Sequence, residues 1–361
     1  MKWAENPCIK CSLENPNLRS YFSFYRRGRV FKTSFLVAVL FIPLLVCAST
    51  DKQALGAITS IDCAGFEAQL KSYEGRIQSK VRAWSDAYLS KANYQTVFYP
   101  FSGPDIVSAL SLFPKANYYL LVADQVPEYA YLGQPEKSSE SAQQFECSML
   151  NGFARRGYYL TNDLNGKNGP KPRFIKLLIY NLAFSGFQVL DIRALKLNAD
   201  GKLTMIQGVS EEARGVRFYL ESKQGRKVTV DYVNADLANT SLEKTSGLIS
   251  LLNQMSSQAV LLKSASHLLQ NKNFSKLAGV LSLNATWIVQ DETGLDIDVL
   301  ASNFHLELFG KFVAPNHLWA GKASAQRLAD YYATHSSKES LPFSIGYEKE
   351  GGSVLMIGNR K

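Results

Sequence analysis

Thr96-Val97-Phe98-Tyr99-Pro100-Phe101-Ser102-Gly103-Pro104-Asp105, continued by Ile106 to Phe113, Pro114 and Tyr118 to Ala123, is the stretch that decides the fold. Thr96 to Tyr99 is a short apolar run rich in strand-forming residues, and the Pro/Ser/Gly/Asp cluster after it is turn chemistry. Ile106 to Phe113 has helical spacing and is stopped by Pro114; Tyr118 to Ala123 is a second buried strand. A strand, a turn, a short helix and a strand make one βαβ unit, whose connection requires the two strands to run parallel.

Outward from that unit the same alternation continues. Phe66, Leu70, Tyr73, Ile77, Val81, Trp84 and Tyr88 recur at steps of three and four, which predicts an amphipathic helix over 64–91. Helices are expected at 141–156, 174–185, 242–255, 273–283 and 323–335, and polar loops at 133–141 and 161–172. Strands are expected at 188–197, 216–222, 227–233, 258–263, 286–290, 304–309, 343–348 and 353–357, with turns at Asn198-Ala199-Asp200-Gly201 and Gln224-Gly225. The fold class that follows is a three-layer α/β domain. Its sheet is mixed and largely parallel, with a Rossmann-like N-terminal βαβ unit and antiparallel strands toward the C-terminus. One domain is expected over 49–361, with 49–92 a helical lead-in.

Residues 1–48 read as an export signal to be removed. Arg26, Arg27, Arg29 and Lys32 precede an apolar run from Phe35 to Val46, and Val46-Cys47-Ala48 supplies the small residues for cleavage before Ser49. The run is too short to span a bilayer comfortably, and nothing later is apolar enough to do so. A start at Val30 would give a signal of ordinary length. Arg26-Arg27 lacks the apolar residue that a twin-arginine signal needs, where Arg29 stands. Val46 argues against lipidation of Cys47; membrane contact is expected only through the signal segment, with a lipidated Cys47 as the lesser alternative. Localisation is therefore exported, periplasmic or envelope-associated, where free nucleotide cofactors are scarce; no cofactor is expected.

Charge and cysteines agree with that reading. The formal charge is +9, but 1–48 hold seven Lys/Arg against two Asp/Glu, leaving 33 against 29 spread along the remainder. That is no nucleic-acid footprint. Cys8 and Cys11 fall in the signal segment without the second pair of a zinc site, and no metal is expected. Cys63 and Cys147 are the thiols left after cleavage, and in an oxidising compartment they are expected to pair.

Candidate site residues follow from the strand ends. Ser102 and Gly103 open a helix after one strand and Asp124 closes the next, the two points at which nucleotide-binding α/β folds hold a phosphate or methionine end and the ribose. A single glycine replaces the glycine-rich pattern, however, and Pro104 removes a backbone donor; Asp105 alone would serve as a helix cap. Asp291 and Glu292, in the polar loop after the strand at 286–290, would join Ser102, Asp105 and Asp124 around one cleft if the two strands are parallel neighbours. Ser102 with an Asp and His267, His305, His317 or His335 has the residue types of a hydrolase triad, yet Phe101 and Pro104 depart from a nucleophile elbow. His267 sits in an apolar stretch, as buried histidines do. His305 and Glu307 share a strand face but lack an identified third metal ligand.

Tyr99-Pro100-Phe101-Ser102-Gly103-Pro104-Asp105, with Leu112-Phe113-Pro114 after it, resembles a family of uncharacterised exported bacterial proteins carrying a YPFSGPD segment. The likeness continues at Ala265-Ser266-His267-Leu268-Leu269, Ile288 to Gly294 and Leu341-Pro342-Phe343-Ser344-Ile345-Gly346-Tyr347. It spans most of 95–361, and Glu292-Thr293 stands where Asp-Ser is expected. The resemblance implies an exported or membrane-attached protein with one integrated domain, and no known activity.

The function expected first is a non-enzymatic binding or envelope-associated module whose partner is a small molecule or an envelope component. An alternative is an active or degenerate enzyme on a methyltransferase-like Rossmann scaffold, with Gly103 and Asp124 at the cofactor site. A third is a Ser102 hydrolase.

Overall fold

The apolar residues of each central strand alternate between two destinations, and this alternation organises the molecule. Val97 and Tyr99 point into one buried cluster while Phe98 points into another; Tyr119 and Leu121 divide from Leu120 and Val122 in the same way. A sheet buried on both faces needs helices on both, so the result is three layers. The computed structural model describes residues 63, 65–92, 94–123, 139–170, 173–206, 212–245, 247–256, 258–313, 323–347 and 353–361. These fall within one compact unit, Ala54–Lys361. The expected signal segment, Cys47, Asp124 and His317 lie outside the described residues.

In chain order the elements are α1 (Phe66–Tyr73), a π turn (Glu74–Gln78), α2 (Ser79–Tyr88), β1 (Thr96–Pro100), α3 (Ile106–Leu112), β2 (Tyr118–Ala123), α4 (Glu140–Arg156), α5 (Thr161–Leu164), α6 (Phe174–Phe184), β3 (Phe187–Leu197), β4 (Leu203–Ile206), β5 (Gly215–Ser222) and β6 (Lys227–Asn234). There follow α7 (Asn239–Lys244), α8 (Leu248–Ser256), β7 (Ala259–Leu262), two 3₁₀ turns at Leu268–Gln270 and Lys272–Phe274, α9 (Ser275–Asn284), β8 (Trp287–Gln290), α10 (Ile297–Asn303), β9 (Phe304–Gly310), α11 (Ala323–Thr334) and β10 (Val354–Arg360). The ten strands form one sheet in the order β4-β3-β5-β6-β2-β1-β7-β8-β10-β9.

The middle five, β6, β2, β1, β7 and β8, are parallel. Both flanks are antiparallel: β10 against β8 and β9 on one side, β3, β4 and β5 on the other. Helices α1, α2, α3, α4 and α6 pack one face, and α7 to α11 the other. From β1 the chain crosses to β2 through α3 on the first face; from β7 it crosses to β8 through α9 on the second, and in the opposite direction. The boundary between β1 and β7 is therefore the topological switch point of the sheet, where open α/β folds place ligands outside the carboxyl ends of the strands.

Three expectations are corrected. The segment at 343–348 forms no strand over its described part: Phe343 and Ile345 are buried alternately, as in a strand, but Ile345 donates its N–H to Ser353 Oγ and Gly346 turns away at φ +80°. The helix expected at 242–255 is two, α7 and α8, divided before Gly247 at φ +85°, where an added Cβ would run into Asn198 O. The loop at 161–172 opens with the one-turn α5.

The expected disulfide is present. Cys63 and Cys147 are bonded, joining the chain just before α1 to α4. Arg76 adds a second tie by donating to Ala154 O at 3.0 Å. No described helix is long and apolar enough to cross a membrane.

Candidate functional site

The site at the switch point is built from the two loops that leave β1 and β7. After β1, Phe101 and Gly103 take left-handed backbone (φ +58° and +52°), and after β7 so do Ser264, Ser266 and His267 (φ +52° to +55°). Non-glycine residues in this region cost on the order of 1–3 kcal/mol each and persist only where their surroundings hold them.

What holds them is a buried polar network. Lys263, directly after β7, turns its ammonium inward to Asp105 Oδ2 at 3.0 Å, with side chains 3% and 4% exposed. The same Nζ donates to Gly157 O at 2.7 Å and reaches Ser264 Oγ at 3.5 Å. Asp105 also caps α3 through Ser108 N (3.0 Å) and accepts from Ser108 Oγ (2.8 Å). Tyr99 OH lies 3.3 Å from both Asp105 Oδ2 and Lys263 O. Burial and the adjacent Asp105 carboxylate hold this phenol well above its ordinary range.

Asp291, after β8, completes the ring. Its Oδ2 accepts from Ser264 N at 2.7 Å, and its Oδ1 from Thr293 N at 2.8 Å and Thr293 Oγ1 at 2.5 Å. Thr293 Oγ1 in turn accepts from Ala265 N. Tyr347 OH donates to Ser264 O at 2.7 Å and lies 3.1 Å from Ser266 Oγ, while Tyr347 N donates to Glu292 Oε1. Burial pushes the Tyr347 phenol up to about 12. Bonds of Lys263, Ser264, Ala265 and Tyr347 thus draw the loops after β1, β7 and β8 and the segment ending at Tyr347 together at one end of the sheet.

Gln290, Asp291 and Thr293 are buried, so this loop is a packed element and not an exposed turn. The strands of Asp105 and Asp291 are parallel but not neighbours, because β7 lies between them. Lys263 and Ser264 therefore bridge the two acids, and it is these residues that the sequence reading missed. The only available signal was a lysine directly after an all-apolar strand, Ala259-Val260-Leu261-Leu262.

Two predictions arise here. Gly346 is at φ +80°, and a Cβ on it would lie 2.6 Å from Asp291 Oδ2. Gly346→Ala is expected to cost about 1–3 kcal/mol in urea denaturation through strain and displacement of the Asp291 carboxylate. Burial raises the Asp291 carboxyl above its ordinary 3.8, against the opposing pull of its hydrogen bonds and of Lys263. A raised folded-state value means that, from 3.8 up to that value, the folded protein keeps a proton that the unfolded chain has lost. Stability from this group is thus expected to fall as pH rises through that window. Asp291→Asn should flatten that slope in urea midpoints measured across the acid range, while lowering stability at neutral pH by placing an amide against Ser264 N.

The candidate cofactor loop uses part of its backbone within the protein. Ser102 N donates to Val122 O, Asp105 N to Ser102 O, and Pro104 has no N–H. Pro104 O accepts from Asn181 Nδ2. A Cβ on Gly103 would meet Leu164 Cδ1 at 3.2 Å, so a side chain covers the glycine where a phosphate or methionine group would approach. These residues do not fit a nucleotide-type cofactor, which needs free backbone donors beside an open glycine.

Nor, among the described residues, does a hydrolase arrangement form around Ser102. Its hydroxyl donates to Gly103 O at 3.0 Å, and the strained backbone belongs to Phe101. His267 is buried, and its Nδ1 lies 3.1 Å from Gln270 Oε1. His305 is exposed on β9, and Glu307 pairs with Lys338 at 2.8 Å. Among the described residues no group of three His, Cys, Asp or Glu could hold a metal ion.

Open space lies elsewhere. A cleft of about 800 Å³ opens at the amino ends of the parallel strands, lined by Arg82, Phe184, Phe187, Glu221, Lys223 and Arg226. Arg226 is fixed there by Ala116 O, and its guanidinium carbon sits 5.7 Å from the Phe187 ring centroid. No protein-family model matches this chain, and no curated protein matches it in sequence.

Proposed function

We propose that this is an exported, non-enzymatic binding or envelope-associated module, built on a Rossmann-like scaffold whose ligand crevice is occupied by the protein's own side chains. The observation that carries the reading is Lys263, with its ammonium buried against Asp105 and Gly157 O beside the switch point. A catalytic lysine in such a crevice needs a lone pair or a free hydrogen to offer its substrate, and this one is committed to protein acceptors. The cleft at the opposite end is of a size that binds small molecules. The disulfide supports export, because such bonds persist in oxidising compartments.

One observation favours the alternative enzyme. Taken in chain order, the seven strands β6-β2-β1-β7-β8-β10-β9 read 3-2-1-4-5-7-6 with the last antiparallel, the order of a methyltransferase-like Rossmann scaffold. Fold alone does not carry activity. Calorimetric titration of the disulfide-intact protein with S-adenosylmethionine, and separately with NAD and ADP, is expected to give no saturable heat up to millimolar ligand. Micromolar binding of any of them would replace the binding-module reading with the cofactor-dependent one.

A further inference from the structure

The π turn between α1 and α2 widens the helix where it passes over the switch point. Ser79 N reaches back to Glu74 O, and the turn buries Ile77 and Gln78. Gln78 is a polar residue only 2% exposed, and Ser111, on α3 beneath it, is likewise 2% exposed. Neither Gln78 Nε2 nor Ser111 Oγ has a hydrogen-bond partner among the described residues. Both line the same small cavity of about 10 Å³, together with Ser108, Gly157, Lys263 and Ser344.

Two buried side chains that carry orphaned polar atoms line one cavity, and its size selects the ligand. A water needs roughly 10–15 Å³ of this kind of space and two to four polar partners, whereas a larger molecule does not fit. We propose that this cavity is a structural water site joining the π turn to α3 beside the Lys263–Asp105 pair. The water accepts a hydrogen from Gln78 Nε2 and bonds to Ser111 Oγ. Its remaining hydrogen goes to Ser108 Oγ or Gly157 O, each of which keeps a lone pair after its bond to Asp105 or Lys263 is counted. An anion is excluded, because Lys263 directs its hydrogens to protein acceptors. The π turn then has a specific role, since it aims Gln78 into the cavity, which a regular helix would turn past.

Water-selective NOE spectroscopy on the ¹⁵N-labelled, disulfide-intact protein tests this without any substitution. A cross peak between water and the Gln78 side-chain amide, with the sign of a water held longer than a nanosecond, is expected. Ser111→Ala gives an independent sign. With a water present the variant loses a bridge and its Tm falls by a few degrees; with a dry cavity it sheds an unpaired buried hydroxyl and its Tm rises. An absent cross peak, or a raised Tm, overturns the proposal.

Discussion

Lys263→Met is expected to destabilise the protein by about 3–5 kcal/mol, as measured by urea denaturation at neutral pH, because it leaves the Asp105 carboxylate buried without its cation. Methionine matches the length of the lysine stem, so most of the loss is electrostatic and not a cavity. Asp105→Asn added to Lys263→Met is expected to recover most of that stability. Asparagine still accepts from Ser108 N as the cap of α3, and no buried charge remains. The order of stabilities, with the double variant above Lys263→Met, is the signature of a buried pair whose parts are costly alone. A Lys263→Met variant within about 0.5 kcal/mol of the parent, the range of ordinary surface changes, would mean that the ammonium lies in solvent and the crevice is not filled this way.

The second large effect is expected from the disulfide. Replacing Cys63 and Cys147 with alanine removes a cross-link between residues 84 apart in sequence. In the chain-entropy model a loop of that size is worth about 4.5 kcal/mol. The loss should be uneven. The bond anchors the start of α1, whereas α2 is held by Val81 and Trp84 in the core and by Ser85 Oγ donating to Leu112 O at 2.6 Å. Hydrogen exchange should therefore rise most over Phe66–Gln78, where Arg76 and the Tyr73–Phe153 ring contact still tie the segment to α4. Unchanged exchange there would show that the disulfide does not anchor the helix that covers the switch point.

How much of this was legible in the sequence depends on whether the signal was local. Thr96 to Ala123 announced a parallel βαβ unit because strand, turn and helix patterns are each written within a few residues. Asp105 as the cap of α3 was legible for the same reason. Lys263 was not, because its partner is 158 residues away and nothing in a local window marks a lysine as turning inward. The π turn was hidden as well: Tyr73, Ile77 and Val81 keep helical spacing across it, and a π turn shifts that register by a single residue. The segment at 343–348 misled by its alternating apolar residues, since Phe343 and Ile345 reach the core from a strap whose described part makes no ladder. The β5–β6 hairpin was readable from Gln224-Gly225 and the turn after β3 from Asn198-Ala199-Asp200-Gly201, but β4 was not expected, and the place of β6 beside β2 is set by long-range pairing.

Export divides the binding-module reading from the cofactor-dependent one, and intact-mass spectrometry of the protein purified from its native host, with and without reductant, measures it directly. The expected chain begins at Ser49 and gains two hydrogens on reduction. A chain retaining residues 1–48 with Cys63 and Cys147 already reduced would contradict export.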